Sequence, residues 1–433
     1  MSNSIHAYSA LEISRAKYHA IISACFGSLS AGLIGDSPVI MIMAEKMNAG
    51  QMISLMTTSL IPLAYFVMLL PMGWIAARLG YRRTIISFTA AGFILMTLLS
   101  FSPQFGIASK SVMMFSIAGF GVCMAAYNAA WFPFIDNFLP KNQRPEFFGN
   151  LRFCWQSFSV LFFFICGMML GKSPAMWSLQ LVVLIATFGL LGRIIHVMQI
   201  PQYAEKPEPV KFLIGLTDVL RNKALTGYSV YLCFLYLFCF ATQPVAFLYV
   251  KNALNIPANI VIVISAIALS GSIIGFLAAG KIINKVSTYR VIVVSHLLFI
   301  LINFGMFLTG GNSWLSIALI TMLLLINSLM LSLISVTTTS EMFVMSSGWN
   351  RAMSMAFCGC LYSLGSGCAR MMSSLIIGSG MLAENWVIGA RQFSNYQTIF
   401  LFNGCALLFV CLMLLMVPAV FPKGKYRYIV ITN

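Results

Sequence analysis

Charge is what this sequence has least of. Among its 433 residues are 10 Asp and Glu, 26 Lys and Arg and four His; charged residues make up 8% of the chain and hydrophobic ones 60%. A soluble domain carries roughly 25% charged residues, so this chain has too little polar surface to coat itself in water. The same scarcity argues against an enzyme, because catalysis needs converging acids, bases or metal ligands. The histidines (His6, His19, His196, His296) all fall near one boundary of the apolar segments without ligand spacing. No His-Glu-x-x-His, Gly-x-Ser-x-Gly or Walker loop occurs. The chain has no Cys-x-x-Cys, and Cys25, Cys123, Cys166, Cys233, Cys239, Cys358 and Cys405 fall inside apolar runs. They read as reduced packing residues, and no metal or cofactor is expected. The first eighteen residues lack a charged, apolar and cleavage pattern, so no removed leader is expected. The net charge of +16 could suit nucleic acid, but the basic residues sit at the ends of apolar runs, which is membrane topology and not a binding patch.

What is present is apolar length. Runs of about 20 residues, enough to cross a ~30 Å hydrocarbon core, begin near Tyr18, Gln51, Thr84, Ser111, Leu151 and Met176, and again near Gly227, Asn259, Arg290, Trp314, Arg351 and Thr398. This predicts an all-α integral membrane protein of about twelve transmembrane helices. Twenty of the 26 basic residues, Arg193 among them, fall in loops on one side; Lys46, Lys110, Lys172, Lys251 and Arg391 fall on the other, and Arg370 within a span. The bias places both termini in the cytoplasm, with the bacterial inner membrane as the expected location. The longest polar connection, with Pro201, Pro207 and Pro209 and then a short amphipathic helix, divides the chain nearly in half. The expected units are a six-helix bundle over 1–198, a cytoplasmic loop over 199–223 and a second six-helix bundle over 224–433.

The halves echo one another. Gly73 and Gly280 open related segments, GWIAARLGYRR and GKIINKVSTYR, 207 positions apart; Asp136 and Glu341 lie 205 apart, Arg144 and Arg351 207 apart. One shared shift argues for a duplicated six-helix unit. The loop after the second span, with Gly73, Arg78, Gly80, Arg82 and Arg83, resembles the signature loop of the major facilitator superfamily, and the twelve spans and central loop extend the resemblance over the whole chain. It implies two pseudo-symmetric bundles that carry a solute by alternating access. The chain departs from the family where the loop's usual acid is Ala77 and its second copy Asn284, so the charge relay of the cytoplasmic latch is not carried over. The loop bases then pair with Asp136 or with helix C-termini. The fourth span lacks the buried arginine associated with proton coupling, and the fifth lacks the Gly-Pro pattern of drug/proton antiporters.

A charge inside the bilayer is costly, so it marks function by default. Asp36, in SLSAGLIGDSPVI, shares a helical face with Ser28 and Gly32 beside a small-residue stripe of Gly27, Ala31 and Gly35, with Pro38 next to it. It is the candidate coupling site for H+ or Na+, or else a packing acid. Arg370 shares a face with Tyr362 and Ser366 beside Gly359, Ser363 and Gly367. Its guanidinium could hold an anion, pair with Asp36, or serve a structural ion pair. Further substrate-site candidates are Tyr127, Asn128 and Trp131 on the fourth span, Arg152, Trp155 and Gln156 on the fifth, Gln243 on the seventh and Asn327 on the tenth. Aromatic faces beside amides suit a neutral polar ligand such as a sugar, though Trp is also a common interfacial anchor. The sequence thus predicts a monomeric secondary transporter of a small polar organic solute, by cation symport. The solute is either an anion held by Arg370 or a neutral one. The alternatives are export or a non-transporting membrane receptor of the same fold.

Overall fold

Backbone amides cannot be left bare in hydrocarbon, so apolar runs of this length must close their hydrogen bonds within themselves as helices. The computed structural model describes residues 9–140, 143–201, 212–311, 313–345 and 351–416. Among them, ten segments are long and apolar enough to cross a membrane. One of these, Tyr81–Asp136, contains two helices, and the 28-residue helix Arg351–Gly378 lies outside the ten. The arrangement is consistent with twelve crossings.

The first half runs through α1 (Ala10–Gly35), α2 (Val39–Lys46), α3 (Gly50–Met56), α4 (Leu60–Leu79), α5 (Tyr81–Phe101), α6 (Ser109–Asp136), α7 (Arg144–Met169) and α8 (Met176–Met198). The expected amphipathic helix of the central connection is α9 (Phe212–Arg221); residues 202–211, with Pro207 and Pro209, lie outside the described residues. The second half runs through α10 (Lys223–Cys239), α11 (Thr242–Leu248), α12 (Ala258–Lys285), α13 (Thr288–Leu308), α14 (Trp314–Met345), α15 (Arg351–Gly378) and α16 (Asn395–Met416). The side chains of Asn284 and Arg351 are likewise outside the described set.

Local chemistry sets the boundaries. Ser9 and Glu12 form a reciprocal capping box that starts α1. Pro38 has no N–H to continue the ladder, so the first span breaks between Gly35 and Val39. Gly80 turns α4 directly into α5 with φ of 93°, a conformation that only glycine adopts readily. The Asn222 side chain accepts from the Leu225 amide and starts α10.

Chain direction alternates, so the connections fall at two ends. The termini end holds the start of α1 and the finish of α16. The hairpin end holds a feature absent from the expectations, an antiparallel pair of β1 (Asn385–Ile388) and β2 (Arg391–Ser394) between α15 and α16. The Phe393 ring stacks on Phe307 at 4.7 Å and Trp386 Nε1 donates to Thr398 Oγ1 at 2.8 Å, so the hairpin is clamped onto the helix ends.

The packing scheme repeats. In the first half α1 lies on α7 and α8, α4 on α6, and α5 on α6 and α8. In the second α10 lies on α15 and α16, α12 on α14, and α13 on α14 and α16. The halves meet where α7 runs along α12 and α4 along α15. Two apolar cores result, one including Phe120, Phe134 and Phe163, the other Tyr228, Phe299 and Phe400. The repeat extends to backbone detail. Asn48 and Asn255, 207 positions apart, both turn at the hairpin end with φ of 54°, a left-handed geometry that Asn tolerates better than most side chains. The break between α1 and α2 has its counterpart between α10 and α11.

One placement corrects the sequence reading. Arg193, expected in a loop, lies within α8 and is 3% exposed. Its long stem reaches inward from a helix end that hydropathy and the basic bias together assign to the membrane face.

Candidate functional site

Asp36 follows the last turn of α1, its amide donating to the Gly32 carbonyl at 2.8 Å. Asp36 as a whole is partly buried. Arg370 comes from α15, in the other half. It is 7% exposed; Nη1 donates to the Thr58 carbonyl at 2.9 Å, and the guanidinium carbon sits 5.7 Å from the centre of the Phe240 ring. Nη1 also lies against Gly35, next to Asp36. The two charges interact electrostatically across the junction of the halves without a direct ion pair, and Arg370 Nε has no hydrogen-bond partner. Gly359 and Gly367 of the predicted stripe seat Leu69 and Leu63 of the second span, which brings α15 close enough for this reach.

The other candidates separate into distinct neighbourhoods. In the first half Tyr127 stacks on Trp131 at 5.2 Å, and Asn128 Nδ2 donates to the Tyr65 hydroxyl at 2.6 Å. Gln156 is buried. Trp155 and Arg152 both turn to Phe276 of α12, at 6.4 Å and 5.3 Å from its ring centre. Trp131 and Trp155 therefore have separate ring partners. In the second half Tyr362 packs on Tyr236 at 5.4 Å, and Ser366 donates to the Ser363 carbonyl. Gln243 Nε2 and both polar atoms of Asn327 are buried without a partner, a costly condition unless something completes them.

The sequence reading missed three features. Arg193 is the first. Its guanidinium lies 3.9 Å from the centre of the Tyr127 ring, Nε donates to the Ser23 carbonyl at 3.4 Å, and Nη1 reaches Met124 Sδ at 3.7 Å. It passes directly over Gly27, where any Cβ would collide with it. The fourth span lacks its own arginine, and the sixth supplies a guanidinium beside it. The GxxxAxxxG stripe on α1 was the available signal, read as helix packing.

The second is a histidine pair. His19 and His196, which have no ligand spacing in the sequence, meet with their Nδ1 atoms 2.9 Å apart, one donating to the other. His296 is fully buried in α13, hydrogen-bonded to the Ile292 carbonyl and near the Tyr231 hydroxyl.

The third is a tie across the halves at the hairpin end. Lys251 Nζ donates to Glu45 Oε2, and Asn252 Nδ2 donates to Glu45 Oε1 at 2.8 Å. Glu45 and Lys251 lie 206 positions apart, so pseudo-symmetry brings equivalent positions face to face. Identical residues of like charge would repel there; opposite charges attract.

At the other end the signature-loop bases and Asp136 find separate partners. Arg82 donates to the Met198 carbonyl at the C-terminus of α8, Arg78 stacks on Trp74 at 3.7 Å, and Asp136 pairs with Arg144 at 3.1 Å.

Known proteins bear on this arrangement. The family model of the Major Facilitator Superfamily matches residues 20–346. A comparison with curated proteins gives no match. Among solved structures, the nucleoside transporter NupG superposes with a TM-score of 0.69 at 11% identity, over 95% of this chain and 100% of that one. The D-xylose-proton symporter superposes with a TM-score of 0.69 at 12% identity, over 95% and 98%. FucP in the outward conformation gives 0.61 at 13% identity, over 94% and 98%. At such identities the likeness is one of fold.

Proposed function

Because the chain belongs to the major facilitator superfamily, we propose that it is a secondary transporter importing a small neutral, hydroxyl-rich solute by alternating access, with cation coupling at Asp36. The observation that carries the choice of a neutral solute is the approach of Arg370 to the end of α1 beside Asp36, with Nη1 lying against Gly35. Arg370 is balanced by the nearby carboxylate and already donates to the Thr58 carbonyl, so it is a poor free cation for an anionic substrate. Arg193 is packed into the first half, against Ser23, Met124 and Tyr127. The open hydrogen-bonding capacity lies instead on neutral amides, Gln243 and Asn327, which match hydroxyl groups that both donate and accept. The fold neighbours that carry a nucleoside, a xylose or a fucose support the same class.

In this reading the termini end faces the cytoplasm and the hairpin end faces outside, following the basic bias of the loops. Asp36 is the coupling carboxylate: of the ten acids it alone lies well within the membrane span. A proton or Na+ taken up there removes the counter-charge of Arg370 and frees it to change partners as the halves rock. The two six-helix units, 1–198 and 224–433, are the rocking bodies, linked by 199–223.

The test uses proteoliposomes and a set of radiolabelled sugars, nucleosides, organic acids and amino acids, with and without an imposed pH or Na+ gradient. Gradient-driven accumulation of a sugar or nucleoside is expected. Asp36→Asn should abolish accumulation while counterflow exchange persists. Uptake confined to organic acids would refute the neutral substrate, and full accumulation by Asp36→Asn would refute the coupling site.

A further inference from the structure

Arg152 is a partly buried cation without a counter-charge. It stands on α7, and seven and eleven positions further along the same face Ser159 bonds Ser28 and Phe163 packs against Gly32, both on α1. Leu161, Ile165 and Met168, on the opposite face, are exposed where lipid would lie. The Arg152 face is therefore the inner one, and its guanidinium crosses the seam between the halves to lie 5.3 Å from the centre of the Phe276 ring on α12. Among the described residues it makes no hydrogen bond or ion pair, no carboxylate acts on it, and its nitrogens are not sealed from solvent. Trp155, one turn along, packs on the same ring at 6.4 Å, and its Nε1 likewise has no acceptor and stays open. Gln156 is 3% exposed, and its amide makes no hydrogen bond yet still touches open space. Positions i, i+3 and i+4 share one face, so three unfilled side chains converge there. A charge with empty donors inside a membrane protein is costly unless something completes it.

We infer that Arg152, Trp155 and Gln156 form a binding site for a phosphate group, entered from the termini end between α7 and α12. The donor set determines the class. The guanidinium, the indole and the amide offer N–H groups against a single side-chain acceptor, Gln156 Oε1, so the ligand must be rich in acceptors. The guanidinium fork matches two phosphate oxygens, and the remaining oxygens take the indole and amide donors. Glu146, the nearest acid in sequence, is exposed in the first turn of α7. The site is distinct from the Asp36 and Arg370 pair. Ser28 and Ser159 lie level on parallel helices; Asp36 is eight residues beyond Ser28 and Arg152 seven residues before Ser159, so ~22 Å of helix separates the two levels. A neutral solute does not balance this cation, so the ligand is a second molecule, and its binding does not depend on the identity of the cargo. With the termini end in the cytoplasm, as read above, the phosphate belongs to a soluble cytosolic compound or to a lipid of the inner leaflet.

The full-length protein in maltoside micelles free of phospholipid is titrated with inorganic phosphate at constant ionic strength, chloride making up the balance, and its melting is followed. A saturable rise in melting temperature is expected if the site takes soluble phosphate. Phosphatidylglycerol added to the same micelles is the second arm: saturable stabilisation by the lipid and none by inorganic phosphate assigns the site to a headgroup. Arg152→Gln should abolish the rise in whichever arm shows it. Without phosphate this variant should melt no lower than the unaltered protein, because it removes an unpaired charge. Trp155→Phe keeps the ring and removes the N–H, and gives a second reading of the same site: the phosphate concentration at half-saturation should rise about tenfold. Stabilisation by neither phosphate nor lipid would overturn the proposal. So would a saturable rise that Arg152→Gln and Trp155→Phe both leave unchanged.

Discussion

Replacing Glu45 by Gln should tip the protein toward opening at the hairpin end. The carboxylate there holds two donors from the opposite half, Lys251 Nζ and Asn252 Nδ2, and the side chains of Lys251 and Glu45 are only 22% and 15% exposed. An exposed ion pair contributes about 0–1 kcal/mol, and a charge-assisted hydrogen bond shielded from water about 1.5–3 kcal/mol. Between these limits the contact favours the closed hairpin end by about 1–2 kcal/mol, a factor of about 5–30 in population. Gln keeps the shape and one acceptor but loses the charge. Glu45→Lys should do more, because it sets like charges against each other. The exchange Glu45→Lys with Lys251→Glu should recover most of the closed population, since position 45 and position 251 face one another whichever carries the acid. Eleven free cysteines make thiol labelling ambiguous, so spin labels belong on a ketone-bearing amino acid placed at Ser173 and Ser379, exposed positions in opposite halves at this end. Double electron–electron resonance then reads the distance distribution between the halves. A long-distance population that grows in Glu45→Gln, grows further in Glu45→Lys and shrinks in the exchange supports the latch. An exchange variant no better than Glu45→Lys would refute it.

Other outcomes follow from packing. Gly27→Ala places a methyl group where the Arg193 guanidinium lies and should destabilise by about 1–3 kcal/mol, read as a lower melting temperature in detergent; adding Arg193→Met should restore much of the loss, and no restoration would show that the clash is not with Arg193. Arg370→Lys keeps the charge but not the planar fork that bonds Thr58 and faces Phe240. Uptake affinity should fall about tenfold with little change in melting, and unchanged affinity would reduce Arg370 to a structural role. Trp386→Ala removes the Thr398 hydrogen bond and a ring contact to Phe393, so protease should cut between Asn385 and Ser394 faster while transport continues; an unchanged cutting rate would show that the hairpin is held by other contacts.

The membrane class, the span positions and the repeat were readable from the chain because they depend on local quantities. Apolar length decides what can cross a bilayer, and a constant shift between related segments survives in linear order. Pro38 breaks the first span and Gly80 makes the tight turn after α4 through their own backbones, so these effects too are local. Asp36 and Arg370 stood out because a charge inside an apolar run is conspicuous whatever it touches.

Contacts between distant segments were another matter. Arg193 looked like any basic residue at a helix end; only the tertiary structure shows its stem crossing Gly27 to reach Tyr127. His19 and His196 are 177 positions apart, and no spacing rule joins them. Glu45 and Lys251 could be numbered as equivalents of the repeat, but that equivalents meet depends on where the pseudo-symmetry axis passes. The β-hairpin was hidden because its strands are four residues each, too short for a period to register. Hydropathy and repeats are properties of sequence neighbours and fixed the membrane fold. Partners for buried charges, amides and cavities are set by how helices from the two halves pack, and that only the three-dimensional arrangement decides.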